Sequence, residues 1–165
     1  MSLTIRRIQP GEGDLYKVAR LESLKESPSA FATTYDSALQ RDVQSWTAQA
    51  DQSATGPNRC TCLALVDKHP IGLGAIYRDQ TNARNGELIQ MWVSPTNRGK
   101  RIGINILDFL MDWAQKNAFQ SIYATVLAGN DKALQFYLTY GFAHHQNTYE
   151  NKTLVSTTLR KEVGS

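Results

Sequence analysis

Val93-Ser94-Pro95-Thr96-Asn97-Arg98-Gly99-Lys100-Arg101-Ile102-Gly103 lies between a run of strand-like character and a run with helical spacing, and it concentrates glycine and basic side chains at that junction. Such a turn makes an anion cradle. The first backbone N–H groups of a helix lack intrahelical partners, the macrodipole adds positive potential, and glycine lets a phosphate reach the main chain. Each interaction of this kind contributes about 0.3–1 kcal/mol when exposed and up to ~2 kcal/mol when partly buried, so several amides converging on one pyrophosphate hold it with little help from side chains. The stretch is neither of the better-known phosphate loops: Arg101 follows Gly99-Lys100 where a Walker A loop needs Ser or Thr, and no dinucleotide glycine fingerprint is present. Taken alone, the same residues also read as an ordinary strand-to-helix turn with solvated bases.

Upstream, residues 87–93 read as a strand that ends at Ser94-Pro95. Downstream, Ile106, Leu107, Leu110, Met111 and Ala114 share a stripe with Asp108, Asp112 and Gln115 off it, which predicts an amphipathic helix starting at Ile102. Further on, the pattern predicts a strand over 121–126, a helix over 130–140 closed by Gly141, and two last strands over 143–149 and 153–159. Toward the N-terminus it predicts a strand over 3–8, then a helix capped by Asp14 with Leu15, Val18, Leu21 and Leu24 as its apolar stripe, stopped at Ser27-Pro28. Residues 29–35 are irregular, 42–50 form a second helix containing Trp46, and 51–58 form a loop. Residues 61–66 and 71–77 predict a hairpin joined by Asp67-Lys68-His69-Pro70.

The 165 residues, 41% hydrophobic and 20% charged, suit one domain spanning 1–165. A formal charge of +3 suits an anion binder and falls short of the concentrated basic load of a nucleic-acid-binding protein. No apolar run is long enough to span a bilayer and the first residues show no signal-peptide core, so the expectation is a soluble cytoplasmic protein with no membrane partner. Cys60 and Cys62 are too close for an ordinary staple and read as reduced core thiols. His69, His144 and His145 have no telling spacing, and no metal site is expected.

Two signatures, in order, resemble the GNAT superfamily of N-acetyltransferases. The family's loop, Gln/Arg-x-x-Gly-x-Gly/Ala after a strand ending near Val-x-Pro, is matched by Arg98, Gly99, Lys100, Arg101, Ile102 and Gly103, with Arg101 replacing the central glycine. The second signature, Asn-x-x-Ala-x-x-Phe-Tyr-x-x-x-Gly-Phe, is matched by Asn130, Ala133, Phe136, Tyr137, Gly141 and Phe142. The resemblance runs from about Arg6 to Leu159 and is most specific between Glu87 and Phe142. It implies an α/β (α+β) fold in which a central mixed, mostly antiparallel sheet of six to seven strands is flanked by about four α-helices. It also implies an acyltransferase that moves an acetyl group from acetyl-CoA to a primary amine through a ternary complex, with a non-catalytic acyl-CoA sensor of the same fold as the alternative. No nucleic acid is expected as a partner, the acceptor is a small-molecule or peptide amine, and a homodimer is one expected assembly.

By the same resemblance, pantetheine lies between two splayed parallel strands, here 87–93 and 121–126, and bonds to the main chain around Met91, Trp92 and Val93. The loop from Arg98 through Ile104 (Arg98, Gly99, Lys100, Arg101, Ile102, Gly103, Ile104) binds pyrophosphate, and Asn130 bonds the pantetheine arm. An alkyl amine of pKa about 10.4 is neutral in only about one molecule in 2,500 at pH 7, a deficit of roughly 4.6 kcal/mol, so a base or water chain is expected. Glu87 occupies the position where the histone-acetylating branch carries its catalytic glutamate. Tyr137, protonated at neutral pH, is placed to protonate the departing thiolate. Acidic and aromatic groups at Glu22, Glu26, Phe31, Tyr35 and Asp36, with His144, His145, Tyr149 and Glu150, border the implied acceptor side.

Overall fold

Strand β2 (Arg59–Val66) is buried along nearly its whole length, and its side chains alternate between two apolar clusters: Cys60, Cys62 and Ala64 face one, Leu63 and Leu65 the other. Period-two alternation between two dry faces requires helices on both sides of the sheet. The computed structural model, which describes residues 2–164, shows that arrangement. Strands β1 (Leu3–Arg7), β2, β3 (His69–Arg78), β4 (Asn85–Val93), β5 (Ser121–Leu127), β6 (Ala143–Glu150) and β7 (Thr153–Glu162) form one seven-stranded sheet in the order β1-β2-β3-β4-β5-β7-β6. Every neighbouring pair is antiparallel except β4 and β5.

Helices α1 (Gly13–Glu26) and α3 (Val43–Gln52) cover one face, and α4 (Ile102–Lys116) covers the other beside α5 (Asp131–Tyr140). The short helix α2 (Tyr35–Leu39), capped by the Thr34 hydroxyl, brings the α-helices among the described residues to five. Helix α4 approaches β3 closely because Gly74 has no side chain: a Cβ there would stand 2.5 Å from Met91 Sδ and 2.9 Å from Ile106 Cγ2. The β2–β3 and β6–β7 hairpins both turn on two non-glycine residues with positive φ, Asp67-Lys68 and Asn151-Lys152. Two successive left-handed residues match the right-handed twist of the flanking strands.

Two expectations change. Helix α1 starts at Gly13 with Glu12 rather than Asp14 as its N-cap residue, and its buried face is Tyr16, Ala19, Arg20, Ser23 and Leu24, with Val18 left 41% exposed. The rotation has a physical cause: Gly13 packs against the Thr47 backbone of α3, where a Cβ would meet the Thr47 Cα at 2.8 Å, and this contact fixes which side of α1 turns inward. Both cysteines are fully buried and reduced, as their place on the strand implies.

Candidate active site

The site begins with a defect in β4. Leu73 and Ala75 of β3 face Trp92 and Ile89, so three steps of β4 oppose two of β3, and Gln90 takes the surplus with a left-handed φ of 64°. This is a β-bulge, which bends the strand and re-aims the residues beyond it. The Gln90 amide is held from α1 by the Tyr16 hydroxyl, which donates to Gln90 Oε1 at 2.9 Å. Below the bulge β4 pairs with β5 through four rungs, from Asn85↔Ser121 to Leu88↔Ala124, and above it the two strands part. The β5-facing main chain of Met91, Trp92 and Val93 is thereby left without ladder partners in a fork.

A cavity of about 840 Å³ occupies the fork, lined by Met91, Trp92 and Val93, by the loop ahead of α4, by Ala128 to Asn130, by Ala133, Phe136 and Tyr137 of α5, and by a rim from Glu26 to Phe31. Gly99 turns with φ +80°, and Arg101 follows in the left-handed region at φ 64° as the N-cap of α4. Arg101 thus adopts the conformation for which glycine is the unstrained choice, at about 1–2 kcal/mol for a residue bearing a Cβ. The first intrahelical bond of α4 joins the Asn105 N–H to the Arg101 carbonyl at 3.0 Å, so the amides of Ile102, Gly103 and Ile104 open the helix toward the cavity. Gly103 stands against Phe136, whose ring carbons would lie 3.4 Å from an added Cβ. Lys100 is exposed and does not line the cavity.

Asn130 caps α5 through a bond from the Ala133 N–H at 3.3 Å, and the helix ends at Gly141, φ +123°. Between these caps Tyr137 is 8% exposed and its ring packs edge-on to Phe136 at 5.4 Å and tilted against Phe142 at 5.5 Å. Burial alone raises its phenol pKa well above the ordinary range, which keeps the hydroxyl protonated. Glu87 lies elsewhere: it is exposed, one rung below the point where the strands part, between Tyr77 and Tyr123. It lines a second cavity, of about 960 Å³, with Arg59, Tyr77, Tyr123 and Thr125. Tyr137 and Glu87 therefore border different cavities that meet the fork from two sides.

The match to known proteins is specific. Residues 21–142 fit the acetyltransferase (GNAT) family model. The chain belongs to the GNAT family of acetyltransferases. Its fold superposes on the GNAT acetyltransferase of Streptococcus pneumoniae at 20% identity with a TM-score of 0.84, covering 99% of this chain and 100% of the other. A GCN5-related N-acetyltransferase from Kribbella flavida gives 17% identity, a TM-score of 0.76 and 97% coverage of each chain. The structure of yncA from Salmonella typhimurium with its cofactor acetyl-CoA gives 15% identity and a TM-score of 0.74 over 100% of this chain and 96% of the other. No curated protein matches the chain in sequence. Membership of the GNAT family implies acyl-CoA-dependent acetyl transfer.

Several of the contacts that position this GNAT site carry no signal in the sequence. Glu26, at the end of α1, accepts from the Trp92 indole N–H at 3.1 Å and from the Arg98 guanidinium, while Arg98 Nε donates to the Val93 carbonyl at 2.9 Å. Burial works against the Glu26 carboxylate, but bonds from Ser27 and Trp92 and the charge of Arg98 outweigh it and hold its pKa below the ordinary value. Arg98 is consequently a brace between α1 and β4, and Lys132 of α5 adds a cation to the cavity wall. Glu22 is likewise engaged, with His69 at 3.1 Å. Among the described residues no three His, Cys, Asp or Glu side chains gather as a metal site requires, and no helix is long and apolar enough to cross a membrane.

Proposed function

We propose that this chain transfers an acetyl group from acetyl-CoA to a primary amine by direct attack within a ternary complex. The observation that carries the reading is the fork: an unpaired strand edge, a helix N-terminus and a buried phenol share one cavity, with a carboxylate at the apex on the other side. The residues present fit a long, flexible, polyanionic co-substrate. The amides of Ile102, Gly103 and Ile104, with Gly99, Arg101 and Lys132, take the pyrophosphate. The free edge of Met91, Trp92 and Val93, with Asn130, takes the pantetheine amides, and a main-chain N–H near Val93 faces the acetyl oxygen.

Acetyl-CoA, when bound, supplies an acetyl carbon activated as a thioester; a C–N bond forms to the amine, the C–S bond breaks, the nitrogen loses a proton and the sulfur gains one. Glu87 takes the amine proton, directly or through water, at the apex of the fork. Tyr137, kept protonated by burial, gives its proton to the sulfur as the C–S bond breaks, when the charge developing on sulfur offsets the phenol's weakened acidity. The acceptor enters on the Glu87 side.

The reading is tested by calorimetric titration with acetyl-CoA and with ATP, followed by thiol release over an amine panel. Saturable binding of acetyl-CoA but not ATP, with turnover of at least one amine, is expected. Binding without any turnover would leave the acyl-CoA sensor. Glu87→Gln is expected to lower kcat/KM about 100-fold near pH 7, with the deficit shrinking as pH rises and the amine deprotonates unaided. A pH-independent deficit would remove Glu87 from the proton's path.

A further inference from the structure

Beneath α1, on the sheet face that carries Glu87, two buried hydrogen-bond donors, on Arg20 and Trp46, lack acceptors, while the neighbouring Arg41 guanidinium is bonded to Ser45 and Gln49. Arg20 is 6% exposed, its Nη1 is buried with no hydrogen-bond partner, and its guanidinium lies 5.3 Å from the centre of the Phe31 ring. Burial lowers its pKa, and the other ionisable groups acting on it are the phenols of Tyr16 and Tyr77 and the cation of Arg41; no carboxylate is among them. The indole Nε1 of Trp46 is a second buried donor with no partner, and Arg41 stacks on that ring at 3.8 Å. The Tyr77 hydroxyl accepts from Gln49 at 2.9 Å.

An uncompensated buried guanidinium is expensive to hold, and replacing buried charge with apolar packing is often neutral or stabilising. Such a cluster is retained where a ligand supplies the missing acceptor. Its surroundings identify the ligand's place. Phe31 lines the fork cavity, and Tyr77 lines the Glu87 cavity and stands directly across the β3–β4 ladder from Glu87. Arg20, Arg41 and Trp46 line neither cavity themselves; Phe31 and Tyr77, which neighbour Arg20, each line one of them. Of the acidic side chains on the implied acceptor side, Glu22 and Glu26 are already paired, and Asp36 and Glu150 are exposed at the surface, outside the buried cluster.

We propose that the acceptor amine also carries a carboxylate, which docks on Arg20 beside Arg41 and Tyr77 and leaves the amine directed toward Glu87. The substrate class is the amino acids. A planar guanidinium with no protein partner matches a carboxylate by two parallel N–H···O bonds, a geometry that an ammonium cannot reproduce. This inference rests on the acetyl-transfer reading, and Phe31, in the irregular segment after α1, is the side chain that must yield for the carboxylate to reach Arg20.

The test compares thiol release from acetyl-CoA for the proteinogenic amino acids, β-alanine and 4-aminobutyrate, each beside the amine that lacks its carboxylate. At least one carboxylate-bearing member is expected to exceed its partner about tenfold or more in kcat/KM. Arg20→Met is expected to abolish that preference by raising the acceptor KM, with the acetyl-CoA KM unchanged and the melting temperature unchanged or higher. Arg20→Lys, which keeps the charge and loses the fork, is expected to raise the KM as well and serves if the methionine variant does not fold. Equal turnover of the amines without carboxylate, or a preference that survives at position 20, would overturn the proposal. If acetyl-CoA itself does not bind, the acetyl-transfer reading fails separately; saturation-transfer NMR with the same amino acids and no acetyl-CoA then reads the anion site alone. Contact that disappears in Arg20→Met supports the site, and no contact with the wild type, as when water alone fills the cluster, overturns it.

Discussion

At the scale of single residues, the roles proposed for Tyr137 and Gly103 separate chemistry from binding. Tyr137 is enclosed by Phe136 and Phe142, and desolvation alone governs its pKa, so removing its oxygen disturbs little packing. Tyr137→Phe is expected to lower turnover at least about tenfold with acetyl-CoA affinity and melting temperature nearly unchanged, as for an acid acting mainly in the transition state. Single-turnover thiol release checks it, because product release then cannot mask the chemical step. Gly103 has room for a Cβ at ordinary contact with Phe136, so Gly103→Asp is expected to fold. Its carboxylate would face the phosphates at the start of α4 and weaken acetyl-CoA about tenfold or more by calorimetry. Normal affinity in the folded variant would move the pyrophosphate away from this loop.

At the scale of elements, the junction of loop and α4 carries stored strain at Arg101. Arg101→Gly is expected to stabilise the free protein by about 1 kcal/mol, a rise of roughly 2–4 °C in melting temperature for a chain of this size, while losing a cation near the phosphates. Thermal melts with and without acetyl-CoA check both halves of that statement. This junction is legible in the sequence because glycine, bases and a change from strand to helical spacing coincide there, and the same holds for α5, whose Asn130 and Gly141 caps are visible as residue types. The bulge at Gln90 is not legible: Gln90 is an ordinary polar residue in an apolar run, and its left-handed backbone is set by the partner strand and by Tyr16, far away in sequence. Helix α1 misleads for a similar reason. Of the expected stripe Leu24 is buried and Leu15 and Leu21 pack at the margin of the core, but contact with α3 at Gly13 turns Tyr16 and Arg20 inward and leaves Val18 exposed, so a buried arginine joins the inward face. Glu87 stands out by its place at the head of β4, but its separation from Tyr137 by the sheet cannot be seen in a linear pattern.

For the whole molecule, buried groups that ionise only at high pH set the alkaline limit of stability. Burial pushes the Cys60 thiol up to about 12 from an ordinary 9.0, and Cys62, Tyr16 and Tyr137 shift in the same direction. Because these pKa values are raised in the folded state, their contribution is fully present below about pH 9. It is lost as pH rises, since the unfolded chain sheds protons that the folded chain keeps. Each buried thiol contributes a slope of up to ~1.4 kcal/mol per pH unit above that point. Melting temperature is expected to fall steeply between about pH 9 and 10.5, and less steeply in a Cys60→Ala, Cys62→Ala double variant; parallel curves would mean that the thiols are not the cause. The seam between β4 and β5 has a different consequence at this scale. Among the described residues the ladder between the β1-to-β4 half of the sheet and the β5-β7-β6 half is only four rungs long, so within the sheet itself two stiff plates meet at a short weld, backed by the shared core under α4. A strand-like guest lying in the fork extends that weld, and loading the site therefore also changes how the two plates carry force.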